Sequence, residues 1–280
     1  MRIRRLSPAL GAELLDLDLR RPSSAEDRAA LRRALAEHHL LLVRGQRVDD
    51  DQHLAFAESF GHVPREANGS IGMVSNLRTG GALGADRATW HSDFTFFPAP
   101  YEAISLYGSE IPASGTQTFY VNAMLAARTL PAELRARLDG VQGRAVLAFD
   151  NGSLTDGVRY RLGRVDDAVI YQLRPVLWPH RESGEPILAV WEQQTDALLP
   201  LDPQESDALL ERLFQHLYRP EHQYIHEWAP DDLLLWDNHA LQHSRPAVGV
   251  AEPRSLRRVC VGEDQDLSAF AALRAAKENA

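Results

Sequence analysis

Leu40-Leu41-Leu42-Val43 and Leu233-Leu234-Leu235-Trp236 are continuous apolar runs, closed by Gly45 in one case and by Asp237-Asn238 in the other. Runs this short read as buried strands, because a helix of that burial would be longer. Residues 1–20 predict an opening strand or two, with apolar and acidic positions alternating from Leu15. Ser24, with Asp27 three residues on, is a capping-box start for a helix whose apolar positions are Leu31, Ala34 and Leu35. Asp50 or Asp51 begins a second helix that Gly61 stops. Further strands are expected at Ala103–Tyr107, Thr116–Val121, Val146–Phe149, Val169–Leu173, Ile187–Trp191 and Arg257–Val261. Asn122 and Asp202-Pro203 open helical stretches, the second with Leu209, Leu210, Leu213, Phe214 and Leu217 on one face. Leu267–Ala280 reads as a helical tail. Residues 64–88 contain five glycines and little periodicity, the pattern of a long loop that could act as a lid. Many short strands with Gly/Pro turns and interspersed helices predict a sandwich or barrel, here as a single domain over 1–280.

Composition narrows the partners. A net charge of −9 argues against nucleic acid or an anionic membrane as the main partner. One cysteine, Cys260, excludes an intramolecular disulfide and fits a reducing compartment. No apolar run is long enough to span a bilayer, and the basic start leads into no signal-peptide core, so a cytoplasmic protein is expected.

The chemistry centres on Trp90-His91-Ser92-Asp93. The flanking Thr89, Trp90, Phe94, Thr95, Phe96 and Phe97 favour a strand, on which residues two apart share a face. An imidazole and a carboxylate side by side make two-thirds of the set that holds non-haem Fe(II). Alone, the motif is weak and reads first as a surface strand with a solvated His and Asp. Trp236-Asp237-Asn238-His239-Ala240-Leu241-Gln242-His243 offers two histidines for the third position, and Arg254 and Arg258 follow His243 by 11 and 15 residues.

The order Trp90-His91-x-Asp93, Gly115-x-x-Thr118, Trp236-Asp-Asn-x-x-x-x-His243, Arg254 and Arg258 resembles the Fe(II)/2-oxoglutarate-dependent oxygenases of the taurine dioxygenase and aryloxyalkanoate dioxygenase family. The resemblance implies a mainly β protein with flanking helices, a double-stranded β-helix of the jelly-roll, cupin-like kind. It implies His91, Asp93 and His243 as catalytic iron ligands, with Thr118 and Arg254 on the distal carboxylate of 2-oxoglutarate. A guanidinium and a hydroxyl suit that carboxylate. Arg258 matches a position that holds a substrate anion, His62 lies near a second such position, and Phe149, Trp191 and Gln194 fall in stretches that line the family's pocket. Phe94, beside the metal motif, could serve both core and pocket. Arg174-Pro175 stands where the family often has His-Pro, which puts taurine itself in doubt.

The implied reaction uses Fe(II), 2-oxoglutarate and O2 to hydroxylate or desaturate a C–H bond of a small, anionic substrate, with release of succinate and CO2. Asp93 argues against the halogenase subclass, which lacks the carboxylate. Family members are commonly dimers or tetramers. Two rivals use the same ligands: a non-catalytic metal-binding sensor or scaffold, and a zinc hydrolase. Arg258 also reads as a structural ion pair, and Cys260 and the remaining histidines as non-catalytic.

Overall fold

The computed structural model describes residues 1–65, 69–76, 82–83, 87–147, 170–248 and 252–266, with 82–83 described by backbone alone. The first half of the chain forms β1 (Arg2–Arg5), β2 (Ala12–Leu15), α1 (Ala25–His38), β3 (Leu40–Val43), α2 (Asp50–Ala57), β4 (Gly72–Ser75), β5 (Ala82–Leu83), β6 (Ala88–His91), β7 (Ala103–Glu110) and β8 (Gln117–Asn122). Then come α3 (Ala123–Arg128), α4 (Ala132–Ala136), β9 (Gln142–Val146), β10 (Tyr171–Pro175), β11 (Leu177–Pro179), β12 (Pro186–Leu188) and β13 (Thr195–Leu199). The last third adds α5 (Pro203–Leu217), β14 (Gln223–Glu227), β15 (Leu233–Asp237), β16 (Leu241–Arg245) and β17 (Ser255–Val261).

Two sheets make the jelly roll. The larger runs β1-β2-β3-β15-β7-β17-β4-β5 and the smaller β14-β8-β16-β6. The centre of the larger sheet explains the apolar runs. Leu40 and Leu42, with Leu234 and Trp236, face the interior shared with Tyr120 and Leu241 of the smaller sheet. Leu41 and Val43, with Leu233 and Leu235, face outward into a second core that Leu31 and Ala34 of α1 and Phe56 and Ala57 of α2 cover. A strand buried on both faces has no polar positions to alternate, so it reads as a solid run. α5 lays Leu209, Leu210, Leu213 and Leu217 on the inner core, as its spacing predicts.

The helix starts are specified locally. Ser24 and Asp27 close the expected capping box on α1. Asp49, not Asp50 or Asp51, caps α2, in a reciprocal pair with Gln52. The expected 64–88 loop is not structureless: β4 pairs with β17 in register Leu256↔Val74 and Arg257↔Met73, and with β5 in parallel. The rest of the lid expectation falls partly on residues outside those described, as do Phe149 and the 267–280 tail. Among the described residues no helix is long and apolar enough to cross a membrane.

Several buried imidazoles tie this fold to pH. Burial pushes His53 and His243 down to about 3 and His239 down to about 4. Unfolded, each would take up a proton near 6.5; folded, each stays neutral well below that. The unfolded chain therefore binds more protons across that window, and stability falls as pH drops from about 6.5 toward 4, by about 1.4 kcal/mol per pH unit for each group fully engaged. His180 opposes this weakly: burial lowers it, but its bond to Asp237 outweighs burial and raises it. Thermal midpoints of the metal-free protein are expected to fall steadily between pH 6.5 and 4; a flat profile would contradict neutral burial of these rings.

Candidate metal centre

β16 lies between β8 and β6, and its register sets His243 opposite His91 on one side and opposite Tyr120 on the other. Opposed residues on antiparallel strands project to the same face, and the two imidazole centroids are 4.1 Å apart. Asp93 completes the trio by a route the sequence reading did not anticipate. β6 ends at His91, so Asp93 stands in a turn rather than on the strand, followed by Phe94 at φ 61°. The turn still delivers the carboxylate: Asp93 Oδ1 is 3.6 Å from His91 Nε2 and 3.9 Å from His243 Nε2. One ligand atom from each of the three residues lies within 4.8 Å of the others. Octahedral donors on one face stand roughly 3 Å apart, so small side-chain rotations would close the set on one ion.

The donors are prepared for a cation. His91 Nδ1 is 2.7 Å from the Thr89 carbonyl, which fixes that nitrogen as N–H and leaves Nε2 a lone pair. The His243 ring is kept neutral by burial and by neighbouring His91 and Arg258, against the pull of Asp93. Burial pushes the Asp93 carboxyl up, but His243, Arg258 and His91 together outweigh it and hold the group below its usual range. A neutral imidazole and an ionised carboxylate are the protonation states a metal requires.

Arg254 enters just before β17, where Asn76 holds its backbone N–H at 2.9 Å. The residue is 2% exposed. Nε donates to Thr116 Oγ1 at 3.1 Å, and Nη1 has no partner among the described residues. Burial, with Arg245 nearby, pushes the group down to about 9 against the counteracting phenol of Tyr120. The Tyr120 hydroxyl and Trp236 Nε1 are likewise buried without a described partner, and both rings pack on His243, at centroid distances of 6.3 and 5.0 Å. Donors left idle in a buried wall beside a metal site suit a ligand rich in acceptor oxygens. Thr118, expected with Arg254 on the distal carboxylate of 2-oxoglutarate, accepts from Trp228 Nε1 at 2.9 Å. Thr116, two residues earlier, is the hydroxyl that Arg254 reaches.

The expected pocket residues divide. Arg258 Nη1 is 3.6 Å from Asp93 Oδ2, and its guanidinium stands 6.0 Å from the Phe94 ring centroid, so both lie at the candidate metal centre. His62 does not: its side chain is 62% exposed and faces Asp264 at 3.2 Å. Trp191 and Gln194 are buried, with their polar ends on the metal turn itself. Trp191 Nε1 donates to Ser92 Oγ at 3.0 Å, and Gln194 Nε2 donates to the Ser92 carbonyl at 2.9 Å. Those bonds brace the turn that carries Asp93. Arg174, the departure from His-Pro, donates to the carbonyls of Thr95, Phe97 and Pro98 and lies over Trp178, which pins the aromatic loop after Asp93. His239, the rival third ligand, packs against Trp178 at 5.0 Å, beside the His180–Asp237 pair.

Residues 2–260 match the family model described as taurine catabolism dioxygenase TauD, TfdA family. The chain is 30% identical over 242 residues to an (S)-phenoxypropionate/alpha-ketoglutarate-dioxygenase of Sphingobium herbicidovorans, covering 80% of this chain and 82% of that one. A taurine dioxygenase from Burkholderia xenovorans superposes with a TM-score of 0.78 at 29% identity, over 94% of this chain and 91% of the other. AAD-2, solved in complex with Mn(II) and N-oxalylglycine, gives a TM-score of 0.80 at 25% identity, over 94% and 98%. Fold and matched span agree, and the chain belongs to the TauD, TfdA family of dioxygenases.

Proposed function

We propose that the chain oxidises a C–H bond of a small organic anion, with His91, Asp93 and His243 holding Fe(II), Arg254 receiving the far carboxylate of 2-oxoglutarate with Thr116 and Thr118, and Arg258 holding the substrate's acid group. The chain is a 2-oxoglutarate-dependent oxidoreductase of its family, with Fe(II), 2-oxoglutarate and O2 as its cofactor and cosubstrates. The iron, when bound, couples decarboxylation of 2-oxoglutarate to succinate and CO2 with oxidation of the substrate.

The residue assignment rests on one observation, the approach of His91, Asp93 and His243 within 4.8 Å, with a buried arginine near the Tyr120 ring that packs on His243 and with its Nη1 unpartnered among the described residues. A bare metal scaffold or a hydrolytic zinc site has no use for that arginine. The chain's own groups orient the reactants. Arg254 fixes one end of the cosubstrate by charge-assisted hydrogen bonds. Arg258, 3.6 Å from Asp93, holds an anion close to the ligand set, so the carbon next to the acid group is the one presented for oxidation. Relatives named for phenoxypropionate and taurine, both organic acids, support an anionic substrate.

Anaerobic addition of 2-oxoglutarate to the Fe(II)-loaded protein is expected to produce a weak visible charge-transfer band. Oxygen-dependent succinate release is then measured over a panel of sulfonates, alkyl sulfates, aryloxy acids and amino acids. Turnover is expected with an acid whose use is lost in Arg258→Ala. Absence of both the band and succinate would favour the scaffold reading, and zinc content with hydrolysis would favour the other rival.

A further inference from the structure

Asp93 is the member of the ligand trio that no strand supports. It lies between the end of β6 and Phe94, whose φ of 61° is in the left-handed region. A phenylalanine there is strained, so the surroundings must over-determine the turn. One side chain grips Asp93 from both sides. Asn238 Oδ1 accepts from the Asp93 N–H at 2.9 Å, and Asn238 Nδ2 donates to the Asp93 carbonyl at 2.9 Å. Nδ2 also donates to the Tyr101 carbonyl at 2.9 Å, and the Asn238 backbone N–H to the Glu102 carbonyl at 2.9 Å. Asn238 is 1% exposed, so water cannot stand in for the amide. Its orientation follows from chemistry: turned over, Oδ1 would face two carbonyl oxygens. The residue sits in the turn from β15 to β16, so the segment that delivers His243 also holds the opposite ligand.

We infer that Asn238 is a positioning residue of the metal centre, fixing the direction in which the Asp93 carboxylate leaves the chain and so setting the affinity for a divalent cation. The inference rests on the reading of His91, Asp93 and His243 as metal ligands. The other braces of this turn hold its neighbours: Gln194 and Trp191 hold Ser92, and Arg174 holds Thr95, Phe97 and Pro98. Arg174 therefore provides a control that loosens the same turn without touching Asp93.

The test uses the full chain, stripped of metal and titrated with Co(II), whose d–d absorption reports ligand number and geometry. Asn238→Ala and Asn238→Asp are expected to weaken Co(II) binding about 10- to 100-fold, with a spectrum shifted toward that of Asp93→Ala. Arg174→Met is expected to lower the thermal midpoint and leave Co(II) affinity unchanged. In the metal-free wild type the Asp93 amide proton should exchange slowly, a measurement that needs no variant to fold. Wild-type affinity and spectrum in a folded Asn238 variant, an equal loss of affinity in Arg174→Met, or rapid exchange of the wild-type Asp93 amide would each overturn the inference. Should the wild type bind no Co(II), or Asp93→Ala bind it as well as the wild type, the ligand reading falls and takes the inference with it. Loss of binding in Asp93→Ala alone removes only the role of Asn238.

Discussion

Replacing Arg254 with methionine is expected to weaken 2-oxoglutarate binding roughly 30-fold to several-thousand-fold, the cost of about 2–5 kcal/mol for truncating a buried, hydrogen-bonded charge pair. The same change is expected to leave the thermal midpoint of the metal-free, cosubstrate-free protein unchanged or higher. The residue is 2% exposed, donates to Thr116 and leaves Nη1 without a partner among the described residues. Pushed down to about 9 by burial, it still carries its charge at neutral pH. A buried cation without a counter-charge costs stability, and an apolar side chain of similar volume is neutral or better. Titration of the metal-loaded variant with 2-oxoglutarate and thermal unfolding of the apo form read the two effects separately. Unchanged cosubstrate affinity would refute the assignment; a large drop in apo stability would mean that Arg254 is chiefly a structural group.

Asp93→Ala is expected to show the opposite combination. Divalent-metal affinity should fall about a hundredfold or more, beyond the range seen for residues that only support a ligand, and the metal-free protein should also lose stability at neutral pH. Asp93 has partners even without a metal: Arg258 at 3.6 Å and both imidazoles, which together hold the carboxyl below its ordinary value of 3.8. A carboxyl depressed in the folded state contributes stability above its unfolded value and loses that contribution as pH falls through the folded one. The midpoint gap between wild type and variant should therefore be full near pH 7 and narrow below about pH 4. Mn(II) titration and pH-dependent unfolding check both halves, and a gap that does not change with pH would mean that the carboxylate is not held by these charges.

What could be read from the residues alone follows from where each strand sits. β3 and β15 are buried on both faces and announce themselves as solid apolar runs, and α1 and α5 carry their caps and stripes in the sequence. β14, Gln223-Tyr-Ile-His-Glu227, and β16, Leu241-Gln-His-Ser-Arg245, carry mostly polar residues, and neither reads as a strand. β4 was hidden in a glycine-rich stretch because backbone pairing with β17 defines it. The clustering of His91, Asp93 and His243 was legible as motif and spacing, but its local geometry was not: strand propensity around His91 extended the strand past its end and concealed the turn at Phe94. Thr116, Asn238 and Arg174 act through carbonyls and hydroxyls brought near only by folding. A hydrogen bond from Asn238 Nδ2 to the Asp93 carbonyl spans 145 positions and leaves no local pattern.

The pairing of His243 with His91 has a consequence for biogenesis. The two imidazoles belong to strands 152 positions apart that meet only when β16 docks between β8 and β6. A contact so distant forms after local helices and hairpins. During translation the proposed metal trio stays incomplete until residue 243 has emerged and β16 has docked, so a chain stalled before that point is expected to offer only His91 and Asp93 to a cation.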